Sequence, residues 1–361
     1  MIISPAIIHI HQLGSPWETL DPFLVCMHHD DAYPRGNAEL GPATSLAGHH
    51  LGQDFAVKDG WNMYFGLTVP GFPSHPHRGF ETVTIVRKGI IDHSDSLGAS
   101  ARFGAGDVQW ITAGRGIVHA EMFPLLDPTH PNPLELFQIW LNLPARSKMT
   151  EPHFTMFWAE DIPKYVFADQ HGGVTWVACI AGGMPQNITA NNDNNVKLPV
   201  PPPDSWASDP ASDLAIWTIK MAPGAIWSLP AAVNANTRRK LFFFKGASLN
   251  IDGQIVSQQS AIEVRGTSTV ELINGSEPSE ILMLQGTPIG EPVAQRGPFV
   301  MNSDEELRQA YADYHRTQFG GWPWPSNAPV HGPEQDRFAR HANGRVELVL
   351  QPDLQLDVSQ K

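Results

Sequence analysis

Between residues 80 and 140, apolar positions come in short runs, each closed by a glycine turn. Thr82–Val86 stops at Lys88-Gly89, and Ile90–His93 leads into the polar stretch Asp95–Gly98. Arg102–Asp107 reads as a turn ahead of Val108–Ile111, Ile117–Met122 is the next run, and Leu134–Leu141 alternates over a longer stretch. Strands of this length and spacing predict a β-sandwich or small barrel. A second series with the same rhythm begins near Leu214. Leu214–Ile219 meets a turn at Pro223-Gly224, Lys240–Phe244 closes at Lys245-Gly246, and Leu249–Gly253 and Ile281–Leu284 continue the set. The reading is an all-β chain with two copies of one barrel, a repeat of pattern and not of residue identity.

The flanking segments have a different character. Gly182–Asp213 is rich in Asn, Pro and Ser, with Asn191–Asn195 and Pro201–Pro203 at its centre, and reads as a solvated linker or long loop. A polar, glycine-bearing stretch from Pro34 to Asp59 reads as an insertion. One helix is marked at its start by Ser303 and Glu306, a capping box with Asp304 and Glu305 adding negative charge to the first turn. Leu307, Ala310, Tyr311 and Tyr314 form its apolar stripe, and Gly320-Gly321 is the expected stop. The expected division is a first barrel over 1–150, a connecting segment over 151–213, a second barrel with the helix over 214–320, and an irregular tail over 321–361.

Composition narrows the class. The 361 residues are 42% hydrophobic, enough for real cores, and 31 Gly with 32 Pro suit many turns better than long helices. The net charge of -13, with no basic cluster longer than Arg238-Arg239-Lys240, argues against direct nucleic-acid binding. Cys26 and Cys179 each lie in apolar sequence and read as buried free thiols of a reducing compartment. The start, Met1–Pro5, lacks a basic region and makes a poor signal peptide, and no apolar run is long enough to span a bilayer. A cytoplasmic protein without membrane contact is expected. The triplets at Asn187 and Asn274 are then chance matches to a glycosylation site.

Candidate chemistry is concentrated in two short segments, His75-Pro76-His77 and His119-Ala120-Glu121. Residues two apart in a strand point to one face, so two adjacent strands carrying these pairs would aim three imidazoles and a carboxylate at a single point. Such a donor set suits a borderline divalent ion with open positions, as Fe(II) or Mn(II) prefers; structural zinc is more often closed and rich in thiolate. Glu81 has the right parity to join the site if the strand runs unbroken from His77, as a further ligand, a base behind the ligands, or a charge at the strand's start with no role. Gly79 could break the strand there. His28, His29, His49, His50, His93 and His153 lack a partner at ligand spacing and read as surface or turn residues. The glycines around Gly104–Asp107 and Thr112–Gly116 make tight turns and do not open a helix as a phosphate loop would.

These segments also carry a family resemblance. His75–Thr84, Gly106–Met122 and Gly297–Asn302 resemble the pirin family, as do Asp21–Leu24 and Gly290–Val293, and the likeness covers roughly 16–149 and 213–320. The resemblance implies a bicupin, two cupin-type β-barrels with a metal in the first. It places the family's ligands on His75, His77, His119 and Glu121, and so selects Glu121 over Glu81. No histidine occurs between Leu229 and Phe244, where a second ligand set would lie, so the second barrel is expected to be metal-free. The chain departs from compact members at residues 36–62, in the segment between the barrels and in the tail after Phe319.

The implied activity is that of a quercetin 2,3-dioxygenase, taking a flavonol or enediol-like substrate and O2. One divalent ion, Fe(II) before Mn, Ni, Cu, Co or Zn, would act there, with Glu121 as ligand and candidate base. The alternative is a regulatory protein that senses metal or redox state and binds protein partners.

Overall fold

The protein is described from a computed structural model covering residues 6–185, 197–257, 259–334 and 336–349. The Met1–Pro5 start, the Asn187 triplet and the Asn191–Asn195 run lie outside the described residues. Two antiparallel sandwiches make up the chain, a bicupin. In the first half the strands are β1 (Ile7–Gln12), β2 (Phe23–Asp31), β3 (Gly71–His77), β4 (Phe80–Lys88), β5 (Ile90–Asp95), β6 (Ser100–Gly104), β7 (Val108–Thr112), β8 (Ile117–Met122), β9 (Leu134–Asn142) and β10 (His153–Phe157). One sheet of the first barrel has the order β10-β7-β4-β9-β2. The facing sheet runs β6-β5-β8-β3, with Arg337–Arg340 and then Val346–Val349 added beyond β6.

Period-two alternation assigns each side chain of the first sheet to a face. Val83, Ile85, Phe137, Ile139 and Leu141 are buried in a cluster with Phe242, Ala261 and Leu282 of the other barrel. The alternate residues, Thr82, Thr84, Leu136, Gln138 and Trp140, share the opposite face, because Thr84 is paired with Gln138 and Thr82 with Trp140. That second face looks into the first barrel. Face-to-face burial of large apolar side chains, about 1.5–3 kcal/mol for each, holds the two barrels together.

The second barrel draws on more of the chain than 214–320. Its larger sheet runs from β1 through Ser260–Arg265, Arg238–Lys245, Ser279–Gly286 and Ala215–Met221 to β12 (Val174–Ala181) and β11 (Lys164–Ala168). The stretch 151–213 therefore does more than connect: β10 completes the first barrel and β11 and β12 the second. β1, expected in the first barrel, lies along Ser260–Arg265. The tail also departs from the irregular course expected of it. Arg337–Arg340 pairs with β6, and Arg337 sets its buried guanidinium 2.6 Å from Asp107. Short strands of this kind depend on a distant partner and leave only a faint local pattern.

The helix α1 (Asp304–Thr317) starts where the sequence places it. Ser303 accepts from the Glu306 backbone, and the Glu306 carboxylate reaches back to the Asn302 N–H. Leu307 and Ala310 bury against Phe299 and Met301. The stop comes earlier than the glycines: Gln318 and Phe319 already sit in the left-handed region, at φ 48° each. Both cysteines are buried and free, and burial pushes the Cys179 thiol up to about 12. No helix among the described residues is long and apolar enough to cross a membrane.

Candidate metal centre

Strands β3 and β8 are antiparallel neighbours with His75 opposite His119. The i, i+2 spacing then sends His75, His77 and His119 to one side, and one ligand atom from each lies within 4.8 Å of the others. The ring centroids are 4.5–4.9 Å apart. His77 and His119 are buried and His75 is half-buried. Burial disfavours the imidazolium form, holding His75 down at about 4 and the other two well below their ordinary value. Three neutral imidazoles packed this tightly form a donor set with no mutual charge repulsion to overcome.

The surroundings fit a metal ion. Nδ1 of His75 lies 2.9 Å from the Pro73 carbonyl and Nδ1 of His77 3.4 Å from that of Pro298. Donation there leaves each Nε2 as a lone pair aimed inward, the arrangement that orients metal-binding histidines. Both ring nitrogens of His119 are buried without any protein partner, a cost that an ion would remove for one of them. Glu121, on the same face of β8, is also buried, with its carboxylate 4.0 Å from Nε2 of His119. Its Oε1 accepts from Thr84 at 3.2 Å and its Oε2 from Gln138 at 2.6 Å, so the facing sheet holds it in place. Thr84 and Gln138 are not among the residues expected at the site. Their signal was parity, a polar residue on the inward face of β4 and of β9.

Glu81 is not brought to this cluster. The strand breaks at Arg78-Gly79, where Gly79 has φ +84° and a Cβ would stand 2.0 Å from the Val300 carbonyl. β4 restarts with opposite parity, so Glu81 sits on the face away from the histidines, opposite Leu141. There it accepts from Thr112 at 2.6 Å and Ser205 at 2.5 Å, and burial pushes its carboxyl up to about 7.

The break is clamped. Arg78 donates to the Arg115 carbonyl at 2.6 Å and to Asp313 of α1 at 2.9 Å, and its guanidinium lies over Phe319. Lys148, buried, donates to the carbonyls of Gly79 and Val300 and to Asn142. The loss of solvation holds its ammonium down at about 8.

Histidines expected to be isolated are mostly paired. His49 and Asp54, both buried, meet at 2.7 Å under Trp61. His93 lies 3.1 Å from Asp95, and His29 2.7 Å from the Tyr64 hydroxyl.

Two stacked cupin barrels with a histidine cluster inside the first define a bicupin with a candidate metal centre. Residues 18–141 match the pirin model and 216–320 the pirin C-terminal cupin domain. A pirin-like protein of Solanum lycopersicum is 34% identical over 253 residues, 69% of this chain and 77% of that protein. Human pirin is 33% identical over 263 residues, 69% and 78% of the two chains. The chain belongs to the pirin family. Among solved structures, that of a quercetin 2,3-dioxygenase from Acinetobacter baumannii superposes with a TM-score of 0.63 at 25% identity, covering 88% of this chain and 96% of that one.

Proposed function

We propose that the protein is a mononuclear metal-dependent dioxygenase acting on flavonol-type enediols, with quercetin as the representative substrate. The observation that carries the reading is the convergence of three neutral imidazoles, two buried and one half-buried, at one point, with both ring nitrogens of His119 lacking a hydrogen-bond partner. Likeness in fold to a quercetin 2,3-dioxygenase supports the substrate class. His75, His77, His119 and Glu121 would hold one ion, with Fe(II) favoured by a nitrogen and carboxylate set that leaves positions open. When bound, the ion supplies Lewis acidity and redox chemistry toward a chelating enolate and O2.

The chain's own residues do the rest. The carbonyls of Pro73 and Pro298 fix two imidazole orientations, and Thr84 and Gln138 fix the carboxylate. Phe80 and Trp140 lie against the His77 ring and exclude water from that side. Both Glu121 oxygens already accept a hydrogen bond, which suits it better to holding the ion than to taking a proton.

Protein purified without added metal is expected to carry one ion per chain by elemental analysis and to consume O2 with quercetin. His119→Ala should lose both. A metal-loaded preparation that consumes no O2 with any flavonol or enediol offered would overturn the reading. If that preparation also captured a stoichiometric protein partner according to the oxidation state of the ion, the regulatory alternative would take its place.

A further inference from the structure

The reaction proposed above needs a proton acceptor for the substrate hydroxyl, and the wall facing the histidine cluster holds one. His29 lies on β2 opposite Leu136 of β9, two positions from the pair Met27–Gln138. Cross-strand partners share a face, so His29 belongs to the inward wall that carries Gln138, the residue bonded to Glu121. The Phe72 ring touches both His29 and His75, at centroid distances of 5.9 and 6.3 Å. His29 is half-buried in that wall.

Its orientation is fixed by two further residues. Nδ1 of His29 is 2.7 Å from the Tyr64 hydroxyl, and that hydroxyl is 2.7 Å from Oδ2 of Asp31. Asp31 is buried and its Oδ1 accepts from the backbone and side chain of Asn62. Burial raises the Asp31 carboxyl to about 6, so at neutral pH it is mainly ionised and can only accept. Tyr64 must then donate its proton to Asp31, and His29 must donate from Nδ1 to Tyr64. That leaves Nε2 as the bare lone pair, bonded to no protein group among the described residues. A base oriented by a hydroxyl and a buried carboxylate follows the logic of a catalytic relay. Tyr64 itself holds φ +54°, an uncommon conformation for a tyrosine, which the surrounding bonds maintain.

We propose that His29 is the proton acceptor for the substrate's hydroxyl, with Tyr64 and Asp31 as its positioning residues. The assignment rests on the dioxygenase reading. The O–H bond of the substrate breaks, its electron pair stays on the enolate oxygen, and the proton adds to Nε2. Burial holds the His29 imidazole down at about 4, so the imidazolium, which keeps its Nδ1–H on Tyr64, is short-lived. It returns the proton to an oxyanion of the ring-opened product.

The test compares wild type, His29→Gln and Tyr64→Phe, each loaded with Fe(II) and checked for one ion per chain. Anaerobic titration with quercetin reads the absorption band of the flavonol anion, and O2 turnover follows. Both variants are expected to bind quercetin with little change in KM, to lose most of the anion band, and to turn over more slowly. The loss in kcat should be ~100-fold for His29→Gln. Tyr64→Phe keeps the ring against Phe72 and provides the readout if the His29 variant does not fold. Retention of the anion band and of kcat by the variants overturns the assignment and leaves the dioxygenase reading standing. A wild-type protein with neither anion band nor O2 uptake overturns both.

Discussion

Gly79 separates the two carboxylates that compete for a role at the metal. At φ +84° with the Val300 carbonyl pressed against it, Gly79 follows the end of β3 at His77 and lets β4 begin out of phase at Phe80. Glu81 is thereby buried on the inter-barrel face, where desolvation raises its carboxyl to about 7 against the pull of Ser205 and Thr112. A raised carboxyl binds its proton more tightly in the folded state. The native state is therefore favoured below the ordinary glutamate value of about 4.3, and that advantage is lost as pH rises through about 7. Glu81→Gln keeps one acceptor oxygen for these hydroxyls, puts an N–H donor in place of the other, and removes the charge. Its thermal midpoint relative to wild type should rise between pH 5 and pH 8, toward a gain on the order of 2–3 kcal/mol, with metal content unchanged. A flat difference across that range, or loss of the ion, would contradict this placement. The histidines were legible beforehand because i, i+2 parity within one strand is a local property. His29 was not, because what marks it is Tyr64, a residue distant along the chain.

At the scale of elements, α1 is a brace for the strand break. Its apolar stripe buries Leu307 and Ala310, and its Asp313 reaches Arg78, the residue directly after His77 of the candidate metal centre. Arg78 and Arg316 hold the Asp313 carboxyl down at about 2. The pairing is therefore in place above the ordinary aspartate value of about 4 and is lost as pH falls through about 2. Asp313→Ala leaves the largely buried Arg78 guanidinium one charge-assisted bond short, a cost of about 1–3 kcal/mol. Part of that cost should appear at the site: competition with a chelator should show metal held several-fold more weakly, with faster amide exchange at residues 78–80. Unchanged metal affinity would confine the brace to stability alone. The helix was readable from its cap and stripe. Its early stop was not, since left-handed Gln318 and Phe319 are positioned by tertiary contact, the Phe319 ring lying against Arg78 and close over Gly116.

On the scale of the whole molecule, the chain crosses between barrels before either is complete. β1 leaves the first half to pair with Ser260–Arg265, and Arg337–Arg340 returns from the far end to extend β6. The two-barrel rhythm was visible as repeated strand lengths. These exchanges were not, because register between distant strands is set by the assembled core. β1 buries Ile7 and packs Ile10 against the second core, and without it Ser260–Arg265 would become an exposed edge. Deleting residues 1–12 should cost about 2–4 kcal/mol from the lost apolar burial and promote self-association, seen as a lower thermal midpoint and larger species by size exclusion. The candidate metal centre lies on β3 and β8, which make no pairing with β1 among the described residues, so elemental analysis should still find the ion. A deletion that left the thermal midpoint untouched would mean β1 adds nothing to the second barrel. One that emptied the metal site would mean the two barrels are coupled more tightly than their shared apolar face requires.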